Sequence, residues 1–186
     1  MTRPNFLETR ALILACLGGA TSAVLGKLLG AAVHLVIPIP MAGSVAAALP
    51  RAVVLLVILC RIRRRGVLTV AGLAEALASL GLGGMIPFSV LAPVAGGMAG
   101  DLVWLATRPV ASERVRLALA GAALCGARML AVLAVLALVR LPMPGGPHVM
   151  PLVLGAIVAA NVVLGAVAGL VSAAMGTELR RAGVME

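Results

Sequence analysis

The chain has 186 residues, of which 62% are hydrophobic and 11% charged, an apolar share well above the roughly 45–50% of soluble domains, which excludes a soluble enzyme and places the chain in a bilayer. Its 15 Lys and Arg against 6 Asp and Glu give a formal net charge of +9. In a soluble protein that excess would suggest a nucleic-acid partner, but here the arginines mark membrane topology and no nucleic acid is expected.

The opening residues MTRPNFLETR are polar and mixed in charge. The apolar run behind them exceeds a cleavable signal segment in length, so it reads as a membrane span. A span needs about 20 mostly apolar residues, and six runs meet or approach that length, near 11–34, 44–60, 67–83, 88–107, 117–139 and 150–175. The first carries Ala11, Ala15, Gly19 and Ala23 at four-residue spacing, with Gly26 and Gly30 beyond. Small residues so spaced let helix backbones approach closely. The stripe is therefore a contact surface, either internal or with a partner subunit. Lys27 and His34 lie toward the far end of this helix.

The second run has Arg51 at its middle, the third Glu75, the fifth Arg128 and the sixth Asn161, so four polar groups share one depth. Charges within a membrane are costly and point to pairing or to function. Two readings stay open. In one, Glu75 pairs with Arg51 or Arg128 and Asn161 adds a hydrogen bond that fixes helix packing; in the other, the set lines a cavity and holds a polar solute. The fourth run carries Asp101 and Trp104 in its second half, and the sixth repeats the small-residue stripe with Gly165, Gly169 and Ala173. Cys16, Cys60 and Cys125 fall in or at the ends of apolar runs, where inert buried thiols are expected and disulfides are not.

The connections separate into two kinds. On one side lie Arg3 and Arg10, then Arg61, Arg63, Arg64 and Arg65, then Arg108, Arg114 and Arg116, then Arg180 and Arg181; on the other lie VIPIPMAGS, GGMIPFS and LPMPGGPHVMP, with only Arg140 at their edge. The excess of positive charge marks the cytoplasmic side. The chain is thus expected to be an all-α integral membrane protein, a single transmembrane domain over 1–186 forming a six-helix bundle with both termini cytoplasmic. The uncharged Pro- and Gly-rich outer loops are suited to fold over the bundle as a lid. No phosphate loop, H-E-x-x-H or G-x-S-x-G is present, and His34 and His148 are the only histidines. Neither an enzyme, a cofactor nor a metal site is expected.

Six short helices, the small-residue spacing around ALILA at 11–15 and the missing nucleotide motif together resemble the substrate-binding S-component of an energy-coupling factor (ECF) vitamin transporter. RIRRRGVLTVAGLAEALASLGLGG followed by APVAGGMAGDLVWLATRP, over roughly 60–109, is similar to the thiamin and hydroxymethylpyrimidine branch of that family. The resemblance implies a micronutrient bound on the outer side of a prokaryotic cytoplasmic membrane, a transmembrane coupling subunit and two cytoplasmic ATPase subunits. It also implies a docking face at Ala11 and Ala15, extended by Gly19, and a ligand role for Glu75. With the other polar groups on the outer half, the candidate substrate contacts are Glu75, Arg51, Arg128, Asn161, Lys27, His34 and His148. The chain departs from the thiamin branch in its aromatic content, with no Tyr, two Phe and one Trp, whereas planar rings are held well by stacking. A less aromatic solute, or an acidic one drawn to Lys27, Arg51 and Arg128, fits the composition too. The rival readings are a structural or assembly subunit of a larger membrane complex and a small stand-alone carrier.

Overall fold

The computed structural model describes residues 8–36, 42–84, 86–109, 112–139 and 150–183. Hydrocarbon offers no partner for a backbone N–H or C=O, so runs of Ala, Leu, Val and Gly satisfy their own backbone by coiling. Six helices result: α1 (Thr9–Val36), α2 (Ala42–Ile62), α3 (Val67–Gly81), α4 (Ile86–Ala106), α5 (Glu113–Val139) and α6 (Met150–Arg181). All but α3 are long and apolar enough to cross a membrane. With 15 residues, α3 rises about 22 Å, short of the roughly 30 Å hydrocarbon layer. Of the three connections expected to form a lid, VIPIPMAGS and LPMPGGPHVMP lie largely outside the described residues, whereas GGMIPFS is a short turn at Gly83 and Gly84 followed by the start of α4, with no lid segment among its described residues.

The helices close into a ring in the order α1, α3, α4, α5, α6, α2, each packed on its neighbours. At one end, Arg64 pairs with Glu8 at 2.5 Å, Arg63 with Glu113 at 2.5 Å and Arg180 with Glu113 at 3.4 Å. These exposed pairs add little stability. They do show that the starts of α1 and α5, the α2–α3 connection and the end of α6 share one end, which is the arginine-rich one. There Arg116 also stacks on Trp104, 3.7 Å from the ring centre, and its Nη2 donates to the Trp104 carbonyl at 3.1 Å.

The dense core occupies this basic half. Leu55, Leu56 and Leu59 from α2, Val67 and Leu68 from α3, Trp104 from α4, and Leu117 and Leu124 from α5 are all buried there. Asp101 has a structural task in the same layer. Its carboxylate accepts from the Leu68 and Thr69 backbone N–H groups, at 3.3 and 2.8 Å, and from the Thr69 hydroxyl at 2.7 Å. The first N–H groups of a helix have no intrahelical partner, and Gly66 ahead of α3 has no side chain to supply one. A carboxylate from α4 does so instead and favourably meets the positive end of the helix dipole.

Close backbone contacts hold α5 to α6. A Cβ on Gly165 would lie 2.2 Å from the Gly121 carbonyl oxygen, and one on Gly121 would lie 2.1 Å from that of Gly165. The stripe on α6 is therefore an internal seam. Gly155 on the same helix is exposed and has nothing within 4 Å of such a Cβ. Gly165→Ala should cost roughly 1–3 kcal/mol by forcing the seam apart, while Gly155→Ala should be neutral or stabilise by up to about 1 kcal/mol through helix propensity. Unfolding of both variants in detergent micelles measures the contrast, and equal effects would refute the seam.

Candidate functional site

Glu75 lies two turns into α3, past the end fixed by Asp101. Its backbone is pressed against α1: a Cβ on Gly19 would sit 2.1 Å from the Ala71 carbonyl oxygen and 2.9 Å from the Glu75 nitrogen. The side chain consequently points into the bundle, where it is fully buried. Arg51 from α2 and Arg128 from α5 both bring a guanidinium nitrogen to Glu75 Oε1. α3 and α5 are not neighbours in the ring, so this contact crosses the interior. Arg51 reaches inward along α1 because Gly26 leaves room for it; a Cβ there would come within 2.7 Å of the guanidinium carbon.

Above this triad the bundle is hollow. A cavity of about 220 Å³ is lined by residues from all six helices. Arg51 and Arg128 form part of its wall, with 20% and 15% of their side chains exposed. Ser44, Ser79, Ser89 and Asn161 add polar groups, Lys27 stands exposed at its edge, and Ala48, Phe88, Ala92, Met129 and Val132 supply apolar surface. Asn161 is buried, and its amide nitrogen donates to the Ile157 carbonyl at 2.9 Å.

The structure thus brings together Arg51, Glu75, Arg128, Asn161 and Lys27 in one region. Glu75 is not a wall residue; it lies beneath the arginines that are. His34 is exposed, close to Gly43, and does not line the cavity. His148 lies outside the described residues. Among the described residues no group of three His, Cys, Asp or Glu could hold a metal ion.

The residues expected to form a docking face, Ala11, Ala15 and Gly19, lie on a packed side of α1. All three are buried within this chain; Gly19 packs on α3, and Leu12, Ile13, Leu17 and Val24 are exposed on the same helix. Sequence reasoning also passed over Ser79, which stands one turn beyond Glu75 on the same helix face. That i, i+4 relation was the available signal. Ser44, Phe88 and Ser89 gave none, since they sit beside loop segments without helical periodicity.

No family model and no curated protein matches the sequence. A solved structure described as an S-component of an ECF transporter is similar over nearly the whole chain, with a TM-score of 0.70 and 22% sequence identity. The match covers 95% of this chain and 87% of that one. At that identity the likeness is one of fold, and the fold of this chain is that of an S-component.

The triad makes an ordered prediction about stability. Glu75→Gln leaves two buried guanidiniums facing each other and should cost about 3–5 kcal/mol. Arg51→Gln or Arg128→Gln leaves Glu75 with one partner and should cost less, roughly 1–3 kcal/mol. The two arginine changes should also couple when combined, because the double variant strands the carboxylate. Strictly additive losses in detergent unfolding would show that the three groups do not act as a unit.

Proposed function

We propose that the chain is the solute-binding subunit of an ECF-type importer in the cytoplasmic membrane of a prokaryote. Six helices form the bundle within the membrane, with both termini and the arginine-rich end in the cytoplasm. The cavity opens in the opposite, outer half and captures a small micronutrient. A transmembrane coupling subunit and two cytoplasmic ATPase subunits then complete the importer, since this chain carries no nucleotide-binding motif of its own. Glu75, Arg51, Arg128, Asn161 and Lys27 make up the site or its support, and His34 and His148 belong to its outer surroundings.

The observation that supports this reading is the polar-lined cavity in the half of the bundle away from the dense core. A concave site with an apolar wall and a few convergent polar groups is the usual form of a small-molecule site. An assembly subunit explains the small-residue seams equally well but needs no hollow.

Native mass spectrometry of the purified protein tests the proposal. A retained small molecule is expected on the wild type. Ala92→Leu extends a side chain into the cavity from a buried position and should abolish retention while the unfolding temperature changes by only a few degrees. Retention unchanged in Ala92→Leu would remove the cavity as the site. The importer reading falls if no molecule is retained and a panel of vitamins also fails to stabilise the wild type.

A further inference from the structure

Resting on the reading of the cavity as a solute site, we infer that its solute is a small organic anion whose carboxylate is held by Arg51 and Arg128. Two guanidiniums share one carboxylate, which leaves one positive charge in excess inside the bundle. Lys27, at the edge of the same cavity, adds a second. Glu75 is fully buried and takes no place in the wall, so the charge that a solute meets there comes from the arginines.

Hydrogen bonding points the same way. A guanidinium presents a fork of N–H donors and no acceptor, and among the described residues Glu75 is the one acceptor that either of these arginines reaches. Arg51 Nε is buried beside Gly26 and makes no hydrogen bond, and Glu75 Oε2 beneath it makes none either, so the N–H groups open to a solute are those of the partly exposed guanidinium ends. Donors and charge left unmatched within a membrane are costly. A carboxylate offers the oxygens that this fork pairs with in a bidentate manner.

The remaining wall limits the rest of the molecule. Ala48, Phe88, Ala92, Met129 and Val132 are apolar, and about 220 Å³ lies below the roughly 300–1,000 Å³ of most ligand pockets. A compact acid with an apolar body fits; a quaternary or protonated amine meets two arginines and a lysine.

The test uses the full-length chain in detergent at low salt, titrated with benzoate, benzamide and benzylamine and read by thermal shift and calorimetry. These probes share a ring and differ in charge. Benzoate alone should bind, with an affinity that falls as salt rises. Arg128→Gln keeps the Arg51–Glu75 pair and should weaken benzoate about tenfold or more, as expected for a lost charged hydrogen bond. Lys27→Gln, at an exposed position, should weaken it a few-fold and flatten the salt dependence with no change in unfolding temperature. Binding of benzylamine or benzamide equal to or better than that of benzoate overturns the anion assignment and leaves the solute-site reading standing. If none of the three binds, the charge of a molecule retained on the purified protein decides: an acid supports the inference and a neutral or cationic compound overturns it. With no probe bound and no molecule retained, the inference falls together with the solute-site reading.

Discussion

One buried carboxylate shared by two guanidiniums sets the internal geometry of this bundle. Glu75 comes from α3, the helix that by length spans least of the membrane, and its partners come from α2 and α5. In the ring, α3 and α5 are separated by α4, and α2 lies beyond α1. The ion triad is therefore a brace across the interior. A ring of helices with small residues at its seams could pack inward until no space remained, but two long side chains meeting a central carboxylate keep opposite walls at a fixed separation.

That brace divides the bundle into two unlike halves. Toward the arginine-rich end, leucines from α2, α3 and α5 fill the centre around Trp104, and Asp101 completes the first turn of α3. On the other side small residues, Ala23, Gly26, Ala48 and Ala92, line the axis, and small side chains leave the centre unfilled. Along α2 side-chain volume rises from Ala48 beside the cavity to Leu55, Leu56 and Leu59 in the dense layer. The cavity follows from that gradient, with the triad as its floor.

Much of this was legible in the sequence. Six helices, their approximate limits and the common depth of Arg51, Glu75, Arg128 and Asn161 all follow from hydropathy and residue counting, and all four groups meet at the floor or wall of the cavity. What the residues left open has a physical reason. A stripe such as Ala11, Ala15 and Gly19 reports that a backbone approaches closely, but not whose backbone it is; at Gly19 it is α3 of the same chain. The work of Asp101 was hidden because it caps a helix from another helix, 33 residues away in sequence from Leu68. Counting along one chain cannot supply that distance. The serines of the cavity wall were hidden for a simpler reason: hydroxyls are common at helix ends and carry no charge to draw notice.

The energetic standing of the triad bears on the two readings of these charges that composition alone left open. Desolvating three ionised groups costs more than their attraction returns in many proteins, and a well-packed apolar replacement is often as stable or more so. As pure scaffolding, Arg51, Glu75 and Arg128 would thus be an expensive way to join three helices that seams of glycine and alanine already join. Their unequal number sharpens the point. A structural network is most stable when its charges cancel, whereas two arginines against one glutamate leave an excess that faces a cavity. On the proposed reading of the cavity, the balancing negative charge arrives from outside the chain, with the solute.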